Sequence, residues 1–235
     1  GTIVNHDISM TKGSEDGSYA FGLGYYLDQA VIPTQQYSRI SLRASVDQNF
    51  GKYIRFGLSS NSSYGLTSGT QINTGDALAS SPLANPYDAD GNLKRSVQSS
   101  ATDNYRIWTK ETLKEAKDLW MSDAKSLASY NNIYAEVSAP WIQGLKYRIN
   151  LGLNVRFGTG GGVTSASDPN APSSASINNS LRTNWAVENL LTYDRTFAEK
   201  HQINVVGLYS SEQTHYNRSE VSARDLPANH FHFRM

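Results

Sequence analysis

The chain has 235 residues, its 21 Lys and Arg residues balance its 21 Asp and Glu residues, and it contains no cysteine. This balance provides no overall field that would attract nucleic acid, and the lack of cysteine excludes a disulfide scaffold and thiolate chemistry. A mean hydropathy of −0.50 excludes a helical membrane protein, because no run approaches the ~20 apolar residues that a spanning helix needs.

The first four candidate strands alternate between apolar and polar residues. The pattern runs over residues 4–11, 19–27, 40–47 and 54–66. Successive side chains of a strand point to opposite faces, so each of these segments has one apolar and one polar face. Alternation over spans of this length is typical of a wall between lipid and water.

The clearest alternation covers residues 146–157. The ten steps from Tyr147 to Phe157, at roughly 3.3 Å each and a tilt of about 40°, rise roughly 25 Å, the height of the apolar band of an outer-membrane barrel. Slipping the register by one residue would turn the basic side chains to lipid, so the pattern determines the register. The apolar side carries Tyr147, Ile149, Leu151, Leu153, Val155 and Phe157.

Connections of alternating length predict the topology. Short links are expected at residues 13–17, 49–52, 140–144 and 198–200, and longer ones at 29–38, 67–127, 158–180 and from 212 onward. Residues 131–137, 185–193 and 203–209 supply the remaining, less regular strands. An up-and-down barrel has short turns on one rim and long loops on the other, and the short rim is periplasmic in bacterial outer membranes.

The long loop at residues 67–128 is predicted to contain a helix. Residues 112–128 place Thr112 and Glu115 at capping-box spacing and group apolar residues roughly on one face. In this loop Trp108 and Trp120 are candidates for contact with substrate or a partner, although a Trp in an amphipathic helix is more often a packing residue. We interpret residues 88–92 as a turn and the glycines at 158–162 as a flexible loop.

The sequence predicts neither an enzyme nor a bound cofactor. It contains no G-x-S-x-G elbow and no H-E-x-x-H motif. His230 and His232 would share a face of a strand, but no third metal ligand accompanies them, so a surface or terminal pair is the simpler interpretation.

Residues 5–50, NHDISMTKGSEDGSYAFGLGYYLDQAVIPTQQYSRISLRASVDQNF, resemble the barrel of SusC/RagA-type TonB-dependent transporters of Bacteroidetes. The stretches NNIYAEV from Asn131, WAVENLLTYDRTF from Trp185 and HQINVVGLYSSE from His201 resemble the same family in the same order. The resemblance implies an all-β fold, an antiparallel up-and-down transmembrane β-barrel. Its eight or so candidate strands would form part of a wall of about 22. We therefore expect residues 1–235 to be a piece of a longer protein whose plug and amino-terminal domains lie outside this chain.

The resemblance also implies nutrient import across the bacterial outer membrane. Such transporters work with a SusD-like surface lipoprotein, draw energy from TonB acting on the plug, and import oligosaccharides or peptides. A wide lumen would need water or a plug to solvate the charged residues that alternation places on the polar side. These lumen-facing candidates are Arg43, Arg55, Glu136, Arg148, Arg156 and Glu188.

Two other architectures fit the same patterns. One is an autonomous eight-stranded outer-membrane barrel, since eight strands can close around a lumen filled by side chains. The other is a soluble β-rich carbohydrate-binding module, in which the apolar faces form a shared core and the 14 Tyr and 4 Trp residues bind sugar. The apolar faces would meet lipid in the barrels and each other in the module.

Overall fold

The computed structural model describes residues 1–31, 35–69, 120–164 and 172–226, with short pieces between 75 and 106. The strands are β1 (Thr2–Gly13), β2 (Gly17–Gln29), β3 (Gln36–Phe50), β4 (Ile54–Ser68), β5 (Ser96–Gln98), β6 (Asn104–Arg106), β7 (Trp120–Ser138), β8 (Leu145–Thr164), β9 (Ser174–Phe197) and β10 (His201–Arg224). Eight of them form one sheet in the order β1-β2-β3-β4-β7-β8-β9-β10, and β5 and β6 form a separate two-stranded sheet.

The large sheet is an open, antiparallel, up-and-down sheet, which confirms the predicted all-β fold class. Every neighbouring pair is antiparallel. Strands β1 and β10 each have a single partner in the described sheet and do not pair with each other. The described strands therefore do not close into an autonomous eight-stranded barrel.

All four predicted short links are confirmed as tight connections at one rim, which we call the short-turn rim. They join β1 to β2, β3 to β4, β7 to β8 and β9 to β10. Glycine is favoured in the β3–β4 turn, where Gly51 adopts a φ of 65°. The opposite, long-connection rim carries the links from β2 to β3, β4 to β7 and β8 to β9.

The register implies a strand tilt typical of barrels. Gly13 is the last residue of β1, and following its register partners from strand to strand across the sheet leads to Glu188 on β9. Strand β9 ends at Phe197, nine residues beyond Glu188 (197 − 188), so the short-turn end has shifted by nine residues between β1 and β9. Nine residues at ~3.3 Å make about 30 Å, and the six strand spacings crossed, at ~4.8 Å, make about 29 Å. If the short turns lie at one level, the strands tilt by about 45°.

Strands β7 to β10 extend further toward the long-connection rim than the sequence predicts. Trp120 begins β7, so the helix prediction is wrong for residues 120–128; residues 112–119 and Trp108 lie outside the described part. The loop prediction for Gly158, Gly160, Gly161 and Gly162 is also wrong, because these residues belong to β8 and pair with both β7 and β9. Pairing on both sides holds a glycine-rich segment extended despite its low strand propensity.

The predicted apolar flank forms one continuous face of the sheet, which we call the apolar face. Leu23 is 54% exposed, Ile149 37% and Leu151 38%. Val163 is the only buried hydrophobic side chain in the described part of the chain. No second layer of described residues covers this face, so the described part does not form the shared core expected of the module.

A small polar group interrupts the apolar face between β4 and β7. Ser60 donates a hydrogen bond to Asn131 Oδ1 at 2.6 Å, and the hydroxyls of Ser62 and Ser129 lie 2.9 Å apart. Asn131 Nδ2 donates to Ser129 Oγ at 3.0 Å. Because these groups satisfy one another, hydrocarbon can surround them at a lower desolvation cost than isolated polar groups would incur. This explains the polar interruptions of the alternation in β4 and β7.

Within the described residues, no helix is long and apolar enough to cross a bilayer.

Candidate functional site: the polar face of the sheet

The structure places all six predicted charged residues on the face opposite the apolar one, which we call the polar face. Partners in an antiparallel register share a face, and residues an even number apart on one strand do so as well. Arg55 pairs with Glu136, and Glu136 pairs with Arg148. Arg43 lies on this face because it pairs with Asn61, six residues from Arg55. Glu188 does so because it pairs with Asn150, two residues from Arg148, and Arg156 because it lies eight residues from Arg148.

Close to the short-turn rim, an ion pair links β3 and β4. Arg55 donates two parallel hydrogen bonds to Asp47, each 2.9 Å long. The Tyr134 hydroxyl on β7 donates to the same carboxylate. Tyr134 reaches across β4 because its register partner there is Gly57, whose missing side chain leaves room for the ring. Two donors on different strands therefore hold Asp47 in place.

Arg148 extends this cluster to β8 and β9. Its guanidinium lies 3.8 Å from the centroid of the Tyr134 ring and 3.8 Å from the Glu136 carboxylate. Its Nε donates to Asn150 Oδ1 at 2.8 Å, and Asn150 Nδ2 donates to Glu188 at 3.1 Å. We call the whole group the Tyr134 cluster: Asp47, Arg55, Tyr134, Glu136, Arg148, Asn150 and Glu188.

The Tyr134 cluster neutralises most of its own charge. Its two arginines face three carboxylates, and each arginine lies within salt-bridge distance of one of them. Arg55, Glu136 and Arg148 are thereby largely satisfied by neighbouring strands of the wall itself. Arg43 is bound more loosely, since its guanidinium lies 3.9 Å from Asp7 and both side chains are exposed.

Arg156 occupies a different environment, nearer the long-connection rim. It pairs in register with Arg182 on β9. Its guanidinium lies 5.1 Å from the Tyr130 ring centroid, and that of Arg182 lies 5.7 Å from the Tyr216 ring centroid. Among the described residues, no carboxylate lies within salt-bridge distance of either arginine. The two arginines border a shallow hollow of about 290 Å³ lined by Tyr130, Asn154, Arg156, Arg182, Asn184 and Thr214.

The remaining predicted contact residues and motifs give less information. Trp120 is the first residue of β7 and pairs with Thr164, while Trp108, His230 and His232 lie outside the described residues. Residues 88–92 form the predicted turn, closed by the backbone hydrogen bond from Asp88 N to Asn92 O at 2.9 Å.

Several polar-face residues were missed as site candidates. Asp47 and Tyr134 hold the Tyr134 cluster together, and Arg182 completes the arginine pair. Arg182 lies six residues before Glu188, so extending the alternation of β9 would have placed it on the polar face. Tyr134 carries no such signal, because its role depends on Gly57 of a strand 77 positions earlier in the chain (134 − 57).

No family model matches the chain. Curated relatives include TonB-dependent receptor P3 of Formosa agariphila, which is 24% identical in an alignment 249 residues long. This alignment covers all of this chain and 24% of the relative. TonB-dependent receptor P26 of the same organism is 24% identical and covers 87% of this chain and 20% of the relative. The chain thus spans about a quarter or less of the length of these relatives.

Solved structures show the same fold. The chain superimposes on the RagAB peptide transporter with a TM-score of 0.77 and 15% identity, covering 96% of this chain and 26% of that one. The 'closed-closed' state of the RagAB peptide importer gives a TM-score of 0.72 and 18% identity, covering 95% of this chain and 26% of that one. These proteins are named as receptors and transporters, not enzymes. The resemblance predicted from the sequence is thereby confirmed: the chain is similar over its whole length to a TonB-dependent receptor, its fold matches part of the RagAB peptide transporter, and the bacterial outer membrane is the location that these likenesses indicate.

Proposed function

We propose that this segment forms part of the wall of an outer-membrane importer of large nutrients, either oligosaccharides or peptides. In the whole protein, a plug coupled to TonB would supply the energy, and a SusD-like surface lipoprotein would cover the outer mouth. The apolar face would contact outer-membrane lipid and the polar face would line the lumen. Neither nucleic acid nor a cofactor has a role in this proposal.

The observation that supports this proposal most directly is an open sheet with one lipid-compatible face and one charged face. The unpaired backbone groups along the outer sides of β1 and β10 have no partner in the described sheet, and hydrocarbon cannot satisfy them. Further strands must therefore pair with both edges, as in a barrel much wider than eight strands. The chain's coverage of about a quarter of its relatives agrees with that width.

The polar face supports a water-filled or plugged lumen. Its charges are numerous, with side-chain exposures that range from 66% for Arg43 to 20% for Glu136, whereas a small barrel filled by its own side chains would bury them all. A wide barrel with such a lining can admit large hydrophilic solutes.

The proposal is tested by deleting the complete gene in its native host and measuring growth on separate panels of oligosaccharides and oligopeptides. Import of at least one class should fall strongly, re-expression of the gene should restore it, and dissipating the proton gradient in the parent strain should reproduce the loss. Affinity purification of the full-length protein from detergent-solubilised outer membranes should also recover a surface lipoprotein. Unchanged growth on every member of both panels, together with purification of the protein alone, would refute the proposal.

A further inference from the structure

The arginines of the polar face differ in whether this chain supplies a carboxylate partner. Those at positions 43, 55, 148 and 218 each lie within 4 Å of a carboxylate, whereas Arg39 and Arg224 are single and have none in the described part. Arg156 and Arg182 have no such partner in the described part, although register places them directly opposite each other. Like charges at directly opposed positions of a sheet are destabilising. The wall thus maintains a local excess of positive charge.

The surroundings of the pair present donors and aromatic rings. Tyr130 and Tyr216 lie beside the two guanidiniums, one on each side of the pair. Asn154 and Asn184 also line the hollow, two residues along the strands from the arginines, and a hydrogen bond of 3.3 Å from Asn154 Nδ2 to Asn184 Oδ1 joins them. A ligand bound at the arginines would therefore find both aromatic rings and amides beside it.

Two carboxylates of β10, Glu212 and Glu220, each lie four residues from Tyr216, the register partner of Arg182, and Arg218 donates a hydrogen bond of 2.7 Å to Glu220. Asn184 Nδ2 donates a hydrogen bond of 2.7 Å to Glu212. In register, however, Glu212 pairs with Ala186, while Arg182 pairs with Tyr216, four residues further along β10 (216 − 212). Four residues of a strand span about 13 Å, and among the described residues neither Glu212 nor Glu220 lies within salt-bridge distance of Arg156 or Arg182.

We propose that Arg156 and Arg182 together bind a carboxylate group. Guanidinium groups match carboxylate oxygens with parallel hydrogen bonds, and a ligand shared by both arginines would relieve their mutual repulsion. The carboxylate would come either from an imported solute, such as a peptide carboxyl terminus or an acidic sugar, or from another part of the same transporter. This inference rests on the proposed function, in which the polar face lines the lumen.

Arg39 is a matched control within the same chain. It is exposed, lies on the polar face of β3, stacks near a tyrosine ring at 5.8 Å, and has no carboxylate within salt-bridge distance among the described residues. It differs in being single, since its register partners are Tyr26 and Gly65. A general effect of charge or solvent would act on Arg39 as strongly as on the pair.

The test follows the reaction of phenylglyoxal with individual arginines of the full-length transporter in detergent, measured by mass spectrometry. Glutarate is the probe, and its neutral diamide at equal ionic strength is the control. We expect glutarate to slow labelling of Arg156 and Arg182 saturably, by about tenfold at ten times its dissociation constant, and to leave Arg39 unchanged. In the R182Q variant, Arg156 should lose most of this protection.

The starting rate distinguishes the two sources of the carboxylate. If the pair is labelled as fast as Arg39 before glutarate is added, and glutarate then protects it, the ligand comes from solution. If the pair is labelled slowly without any probe and high salt restores the Arg39 rate, the transporter itself supplies the carboxylate. Equal labelling of the pair and Arg39 with and without glutarate overturns the proposal, as does slow labelling that neither glutarate nor salt changes.

The import assay keeps this inference separate from the proposed function. Intact import with one of the two overturning labelling results removes the inference alone, whereas either supporting labelling result with no import in the growth assay removes the proposed function alone.

Discussion

Replacing Gly57 by Ala should destabilise the barrel, although alanine is normally the better residue within a strand. A Cβ atom at this position would overlap the Tyr134 ring, lying 2.7 Å from its Cδ1 atom and closer to other ring atoms. The ring must move, because the backbones of β4 and β7 are fixed by pairing. Its movement separates the Tyr134 hydroxyl from Asp47 and the ring from the Arg148 guanidinium.

The expected change in stability is the sum of these two broken interactions and the intrinsic preference for alanine. A hydrogen bond to a charged group contributes about 1.5–3 kcal/mol, and an exposed cation–π contact about 0.5–1 kcal/mol. Against this, alanine gains about 0.5–1 kcal/mol over glycine in a strand interior. The G57A substitution should therefore lower the free energy of unfolding by about 1–3.5 kcal/mol.

Gly152 provides the control, because it lies on the same face and a Cβ atom there would meet Ala186 at an ordinary 3.8 Å. Urea unfolding of the full-length protein in lipid vesicles, followed by tryptophan fluorescence, should show G57A destabilised and G152A stabilised by about 0.5–1 kcal/mol. In a Y134A background, G57A should become neutral or stabilising. Stabilisation by G57A in the unmodified protein would refute the steric argument.

Three further predictions concern the faces and edges of the sheet. Leu151→Arg should destabilise the full-length protein in vesicles by up to ~2–4 kcal/mol, whereas Asn132→Arg on the exposed opposite face should cost much less; equal costs in the urea assay would show that lipid does not contact Leu151. Spin labels at Leu23 and Leu151 should be accessible to oxygen and shielded from nickel complexes, with the reverse at Asn150, and free quenching of the first two by nickel would contradict the assigned faces. Residues 1–235 expressed alone should fail to give a monodisperse folded species in detergent, because β1 and β10 expose unpaired edges; size-exclusion chromatography would disprove this by showing such a species.

The alternation of single strands was enough to predict the sheet and its faces. Lys146 to Phe157 identified β8 and its register, and the short links identified one rim. The alternation of β10 was harder to recognise, because Val206 and Leu208 place apolar side chains on the polar face. In the structure the doublet Val205 and Val206 has one side chain on each face of the sheet.

Interactions between strands could not be predicted in the same way. The Tyr134 cluster depends on the register that brings Gly57 beside Tyr134, and the arginine pair depends on the register between β8 and β9. The helical periodicity at residues 120–128 was misleading because pairing with β8 outweighs the local pattern. Strand ends at the long-connection rim were missed for the same reason, since pairing rather than composition extends β9 and β10.

The unequal strand lengths make the long-connection rim slope across the sheet. Strand β2 has 13 residues and β9 has 24, so at the inferred tilt they rise about 30 Å and about 56 Å from the short-turn rim. The β2–β3 side barely clears a 25 Å apolar band, while the β9–β10 hairpin stands about 25 Å higher in water. The residues of β10 that continue the apolar face become polar beyond Tyr209, where Ser211, Gln213 and His215 follow at alternate positions. Within the described strands, the rim that would face an approaching solute in the proposed importer is therefore lower at β2 than at β9 and β10.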